Sequence, residues 1–138
     1  MNMNNKLISY MDRYDNLHES LADEMQLTMT QSCLLALARI MLQDGTYDEM
    51  DKEERTVFLD RTIEVLTDFI KVGRELTVGL NTLIMINETI GTYAKKLGYY
   101  NMLEIAERNE HLKETIALLT DKSHEEFLQE LLELKGIL

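Results

Sequence analysis

The sequence predicts an all-α protein, a compact bundle of about five helices around a buried central helix at about residues 74–97. Its 138 residues contain no proline, the residue that interrupts helices most strongly. Apolar residues recur at steps of three and four, which is the helical period. Between Leu76 and Asn87 the chain carries no charge, although its formal net charge is −11. An uncharged helix in so acidic a chain is expected inside the bundle.

The first segment, residues 5–43, contains neither glycine nor proline, so it could form one long helix or two. We expect two helices that meet near Asp15 and Asn16, because these residue types favour helix caps over helix interiors. The stretch 33–42 is apolar nearly all round and is expected in the core. Its single cysteine, Cys33, is expected to be a small buried residue.

The next helix is marked by residues that favour helix ends. Gly45 supplies a C-terminal stop for the first segment. Asp51 and Glu54 have the spacing of a capping box, which predicts the start of a helix that runs from about residue 52 to 71. Whether that helix breaks at Gly73 or continues into the central helix stays open.

The central helix has two apolar faces, so it is expected to be buried on both. Gly79 and Gly91 lie in its interior, where we interpret them as points of close approach by a neighbouring helix. The alternative is a ligand cavity beside the two glycines, with Asn81, Asn87 and Thr89 as its polar contacts. Its polar and charged residues exclude a membrane span.

Two further helices complete the bundle. Asn101 and Glu104 are expected to cap a helix that reaches about Leu119, and Ser123 and Glu126 are expected to cap a terminal helix. Each helix has an apolar stripe that a bundle of this size is not expected to cover wholly. These stripes supply the candidate interface residues, which are Met102, Ile105, Leu112, Ile116, Phe127, Leu128, Leu131 and Leu134.

A search for catalytic and metal-binding patterns returns little. The glycines are scattered singly, which excludes a phosphate-binding loop, and no Glu-x-x-His pair of the di-iron type occurs. Two Asp-x-x-His pairs, which end at His18 and His124, are interpreted as helix starts. Glu107, His111 and Glu114 share one helical face, which we interpret as solvated. We therefore expect no catalytic residues, no metal and no cofactor.

Length and composition indicate one helical domain over residues 1–138. One cysteine excludes an intramolecular disulfide, and the N-terminal stretch has neither the apolar core of a signal peptide nor the Arg-rich character of a transit peptide. A cytoplasmic protein is the expectation. The acidic charge disfavours direct contact with nucleic acid or an anionic membrane, because both would be repelled.

These features favour a non-enzymatic helical module that acts by protein–protein contact, self-associates into a homo-oligomer and has the general character of a small bacterial or phage regulator. One alternative is an acidic inhibitor that occupies a basic, nucleic-acid-binding surface of a partner protein. The other is a helical bundle that binds a small molecule or a metal ion in its interior.

Overall fold

Every element of the computed structural model is a helix, which confirms the all-α prediction. The structure describes residues 3–96 and 102–138, and the side chains of all of these except residues 3, 4, 7, 94 and 102–105. The helices, in chain order, are α1 (Met3–Gln43), α2 (Thr46–Glu49), α3 (Lys52–Lys96), α4 (Met102–Leu119) and α5 (Ser123–Ile137).

The first segment is one helix, so the expected break near Asp15 and Asn16 is wrong. Both side chains are exposed. An exposed polar residue in a helix interior costs only about 0.7 kcal/mol or less, which is too little to interrupt a helix that packing holds on either side. Similarly, α3 continues through Gly73 without a break.

The end of α1 follows the sequence prediction. The helix ends at Gln43, and Gly45 has a φ of +89°, the left-handed conformation that glycine adopts most easily. Asp44 lies between Gln43 and Gly45. Its Oδ1 accepts hydrogen bonds from the Thr46 hydroxyl at 2.6 Å and from the Thr46 backbone N–H at 2.9 Å. Both bonds favour the ionised carboxylate, so they hold the pKa of Asp44 below its ordinary value.

Aspartates also accept backbone N–H groups at the starts of α3 and α5, although the N-cap position of α5 is Lys122. Oδ1 of Asp51 accepts the backbone N–H of Glu54 at 2.8 Å, which confirms the predicted cap and lowers the pKa of Asp51. At α5 the predicted cap is wrong, because Ser123 is already the first helical residue. Its backbone N–H donates to Oδ1 of Asp121 at 2.9 Å and lowers the pKa of that aspartate. The expected cap at Asn101 lies outside the described residues.

The chain forms two compact units. Unit 1 comprises residues 1–25 and 75–119, and unit 2 comprises residues 26–74 and 120–138. Each of the two long helices, α1 and α3, contributes one part to each unit. Whether the whole chain behaves as the single domain expected from its length stays a prediction.

In unit 1 the predicted central helix is buried. Leu76, Leu80 and Leu83 of α3 are at most 3 % exposed, and Ile84 and Ile86 are buried beside them. The two predicted apolar faces of the uncharged stretch are therefore interior, whereas Val78, Asn81 and Met85 on its remaining side are exposed.

Gly79 of α3 is a point of close helix packing. A Cβ at Gly79 would lie 2.9 Å from Cδ2 of Leu21, closer than a real Cβ approaches another heavy atom. Leu21 itself is buried. The close-packing interpretation of this glycine is therefore confirmed, and α1 lies against α3 where a side chain would clash.

The interior of unit 1 also contains a polar pair. Nδ2 of Asn87 on α3 donates a 2.8 Å hydrogen bond to Oδ1 of Asn109 on α4, and both side chains are buried. The amide of Asn109 in turn lies 3.5 Å from the carbonyl oxygen of Ile84. Asn87 therefore connects two helices, while Asn81, which we considered as a second cavity contact, is exposed.

Unit 2 is built around a leucine and phenylalanine core from three helices. Leu59 and Leu66 of α3 and Leu131 of α5 are fully buried. Arg39 of α1 joins this core from the side: its guanidinium lies 4.5 Å from the ring centre of Phe127 and donates to the carbonyl oxygen of Ser123 at 3.3 Å. The single charge of this part of α1 is thus directed towards α5.

Candidate interaction surface

An exposed apolar surface lies on the unit 2 part of α1. Each of its five large aliphatic side chains is more than half exposed, and the cysteine beside them is exposed as well. We call this surface the α1 apolar face, and it consists of Leu27, Met29, Cys33, Leu34, Leu37 and Ile40.

This surface corrects two expectations. The stretch 33–42 was expected to be core on all sides, but only Leu35 and Ala38 are buried. Cys33 was expected to be buried and is exposed. The reason is that the neighbours of α1 in unit 2, which are α3 and α5, contact one side of the helix and leave the opposite side in water.

The α1 apolar face carries no charge. From Gln26 to Gln43 the only charged residue is Arg39, and its guanidinium is held against Phe127 and Ser123 of α5. In a protein whose charged residues make up 28 % of the chain, a helical surface of this length without charge is a site from which water can be removed at little electrostatic cost.

An apolar groove runs along one edge of this face, between α1 and α3. Its volume is about 280 Å³. Leu34, Leu37 and Met41 belong to its α1 wall. Its α3 wall consists of Phe58, Arg61, Thr62 and Val65, so one basic residue borders the groove. Side chains of a second helix could fill such a groove, which is how helices recognise helices.

The interface residues predicted from the sequence lie in different surroundings. Phe127 and Leu131 are buried in unit 2, at 4 % and 0 % exposure, so their place on an exposed interface is wrong. They are covered because α5 turns this stripe towards the rest of unit 2. Leu112, Ile116, Leu128 and Leu134 are half-buried, and their contact with a partner stays a prediction. The side chains of Met102 and Ile105 lie outside the described residues.

Unit 1 contains a second concave surface, an open cleft of about 770 Å³. Its walls bring together two histidines that were considered separately from the sequence, His18 of α1 and His111 of α4, and Leu83 lines the cleft as well. The carboxylates of Asp15 and Glu107 also line it. The ring of His18 stacks on that of Tyr14, with 5.8 Å between their centres.

The remaining histidine-containing groups considered for metal binding lie on α4 and at the start of α5. Glu107, His111 and Glu114 are exposed, as expected for a solvated face. His124 is half-buried and packs edge-on against Phe69, with ring centres 4.9 Å apart. Among the described residues, no three His, Cys, Asp or Glu side chains are close enough to hold a metal ion.

By length and composition alone, one helical segment, Ile8–Gln43 of α1, could cross a membrane. This is a weak indication by itself, because the core helix of a soluble protein passes the same test. The segment contains the α1 apolar face, whose exposed leucines and isoleucine raise its mean hydropathy.

No protein family model, curated protein or solved structure matches this chain.

Proposed function

We propose that this protein is a non-enzymatic helical interaction module that self-associates through the α1 apolar face. The observation that carries the proposal is the exposure of Leu27, Leu34, Leu37 and Ile40 along one uncharged side of a helix. The proposed interface therefore lies on α1, whereas the candidate interface residues chosen from the sequence lie on α4 and α5.

The apolar composition of the surface supports this reading, and its limited size restricts the affinity. Exposed apolar patches of several hundred Å² on soluble proteins commonly mark interaction sites. A stable interface buries roughly 800 Å² per partner, which is more than one side of a short helical segment supplies. We therefore expect a weak dimer, with a dissociation constant of about 1–10 µM.

Self-association can be measured directly. Light scattering behind a sizing column should give a mass that rises from monomer towards dimer as concentration increases to about 100 µM, well above the expected dissociation constant. A protein that remains monomeric at that concentration contradicts the proposal.

A matched pair of variants locates the contact. L34E/L37E places two carboxylates on the α1 apolar face and should abolish the dimer. V78E/M85E places the same charges on α3, where Val78 and Met85 are 69 % and 55 % exposed, and should leave the dimer intact. If both variants dissociate equally, general charge repulsion rather than this face is responsible. Circular dichroism confirms that both remain helical.

The unit 1 cleft supports a second candidate function, binding of a small molecule. Its volume of about 770 Å³ is within the range of roughly 300–1,000 Å³ typical of ligand sites. Native mass spectrometry of the purified protein tests this candidate, since a bound molecule would add a defined mass that H18A/H111A should lose.

A further inference from the structure

Two segments of the sequence, residues 1–11 and 89–103, contain no acidic residue, although the chain has 25 aspartates and glutamates. The described parts of these segments meet in unit 1, where the start of α1 lies beside the end of α3. The rings of Tyr10 and Tyr93 stack there, with 5.8 Å between their centres. The fold thus brings together two acid-free segments that are distant in sequence.

Cationic side chains lie against this tyrosine pair. The ammonium groups of Lys6 and Lys96 lie 6.0 and 5.9 Å from the ring centre of Tyr93, and the guanidinium of Arg13 lies 5.8 Å from that of Tyr10. The cationic side chains are exposed, and both tyrosines are half-buried. We call this surface the unit 1 cationic patch, and it consists of Lys6, Tyr10, Arg13, Tyr93 and Lys96.

The positive charge of the patch is not neutralised by a described carboxylate. Elsewhere in the chain cations pair with carboxylates, as Lys135 does with Asp60. None of the described acidic side chains forms an ion pair with Lys6, Arg13 or Lys96. The tyrosine rings position the cations without cancelling their charge, because a phenol ring carries no net charge.

The nearest acids of α1 lie on other sides of the helix. Lys6, Tyr10 and Arg13 follow one another at steps of four and three, so they share one face of α1. Asp12 and Asp15 are two and five residues from Tyr10, which places them roughly 140–160° around the helix from that tyrosine. This face of α1 therefore carries only positive charge as far as Arg13.

Helix stability alone does not account for these cations. Lys96 is the last residue of α3, where the helix dipole favours a positive charge. Lys6, however, is the fourth residue of α1, and a positive charge near a helix start is unfavourable. Its place beside two other cations favours a role in binding.

We infer that the unit 1 cationic patch binds a short acidic segment of a protein partner through that segment's carboxylates. The inference goes beyond the proposed function, because the patch lies in unit 1 and the α1 apolar face lies in unit 2. A single copy of the chain is sufficient for this binding, so it does not depend on self-association.

The distribution of charge favours an extended anion. Lys6 and Arg13 are seven residues apart, about 10 Å along the helix axis, and each lies against a different ring. Carboxylates two residues apart on an extended segment are about 7 Å apart, so two or three of them match the length of the patch. A single phosphate matches this distribution less well.

Nucleic acids and anionic membranes fit the patch less well than a short segment does. Both extend far beyond the patch, so they would also meet the acidic surface of a chain with a net charge of −11. Proteins that bind single strands stack bases on aromatic rings, but Tyr10 and Tyr93 stack on each other, which uses one face of each ring.

Fluorescence anisotropy of a labelled peptide tests the inference. The probe is a peptide of about ten residues in which glutamate and serine alternate, a spacing that suits the patch. The matched probe has glutamine in place of every glutamate. At about 0.05 M salt the acidic peptide should bind and the glutamine peptide should not. Raising the salt to about 0.5 M should weaken binding at least tenfold.

Charge variants of the patch locate the binding site. K6Q/R13Q/K96Q removes the positive charge and should weaken binding of the acidic peptide at least about tenfold, because several exposed ion pairs are lost together. K6R/R13K/K96R keeps the charge and should bind within about twofold of the wild type. Circular dichroism confirms that both variants remain helical.

The control is K52Q/R61Q/K71Q, which changes the net charge by the same amount at exposed positions of α3 in unit 2. It should weaken binding clearly less than the patch variant does. If the two variants weaken binding equally, then overall charge rather than the patch is responsible, and the inference is overturned. An acidic peptide that does not bind at about 0.05 M salt overturns it as well.

Two further probes distinguish other occupants, namely a labelled thymidine oligonucleotide of about ten nucleotides and vesicles that contain phosphatidylserine. Neither should show binding that K6Q/R13Q/K96Q removes. If either probe binds more tightly than the acidic peptide and loses that binding in K6Q/R13Q/K96Q, then the patch recognises a nucleic acid or a membrane surface, and the inference is overturned.

Discussion

Nδ2 of Asn87 donates to Oδ1 of Asn109 at 2.8 Å inside unit 1, where both side chains are buried among leucines and isoleucines. The bond connects α3 to α4 at one defined position along each helix. A buried amide that loses its partner keeps the cost of desolvation. The pair therefore fixes how α4 lies against α3, in addition to stabilising unit 1.

We expect N87L and N109L each to lower the free energy of unfolding by about 1–3 kcal/mol, because each leaves the other amide buried without this partner. The double variant N87L/N109L should cost clearly less than the sum, because it removes both polar groups. Urea unfolding followed by circular dichroism measures all three. Additive costs would show that the two amides do not act as a pair.

Gly79 and Leu21 should be coupled in the same way. In the wild-type chain, G79A brings a methyl group against Leu21, so the gain of about 1 kcal/mol in helix propensity is offset or reversed. In an L21A background the leucine side chain no longer lies against the added methyl group. G79A should then raise the free energy of unfolding by up to about 1 kcal/mol.

The control for this pair is G136A in α5, where nothing lies within 4 Å of the added methyl group. It should be neutral or stabilising in both backgrounds. If G79A has the same effect with and without Leu21, then the close approach of these two residues does not limit the substitution.

Acid should weaken the helix starts at three aspartates. Hydrogen bonds lower the pKa of Asp44, Asp51 and Asp121 in the folded chain below the ordinary value of 3.8. A carboxyl group with a lowered folded-state pKa contributes stability above its unfolded pKa and loses it as the pH falls through the folded value. We therefore expect this contribution to be complete near neutral pH and to be lost below about pH 4.

Asparagine caps helices about as well as aspartate but does not titrate. The triple variant D44N/D51N/D121N should therefore match the wild type near pH 7 and lose less stability between about pH 4 and pH 2. Thermal unfolding across this pH range measures the difference. If the triple variant loses as much stability as the wild type over this pH range, then other carboxylates govern acid unfolding.

Salt should strengthen self-association. Raising sodium chloride from about 0.05 to 0.5 M shortens the screening length severalfold and reduces repulsion between two chains of charge −11. We expect the dimer dissociation constant to fall severalfold, measured by sedimentation equilibrium. Binding of a basic partner by an acidic inhibitor should show the opposite sign, so weakening of association by salt would favour that alternative.

The helix ends show which structural features local sequence patterns predict correctly and which they do not. Asp51 caps α3 as its spacing to Glu54 predicts, and Gly45 follows the end of α1 in the left-handed conformation. The predicted cap of α5, Ser123, is one residue too late, because the N-cap position is Lys122 and the carboxylate that accepts the Ser123 backbone N–H belongs to Asp121. The split expected at Asp15 is also wrong, since a weak local preference does not outweigh the continuity of a long helix.

The exposed face of α1 could not be predicted. Leu34 and Leu35 are adjacent and chemically identical, yet one is more than half exposed and the other is buried. No local pattern distinguishes the two in a stretch that is apolar nearly all round. The same limit applies to Phe127 and Leu131, which the sequence placed on an interface and the structure places in the core.

By itself, the sequence determined that this chain is helical, that α1 ends before Gly45 and α3 begins after Asp51, and that the leucines and isoleucines between Leu76 and Asn87 are interior. These features depend on contacts within one or two helical turns. Only the tertiary structure decided that α1 has one covered side and one wet side, and that Asn109 meets Asn87. Those outcomes depend on which helices, distant in sequence, pack against each face. When a helix has more apolar surface than its neighbours can cover, the rest of that surface stays exposed.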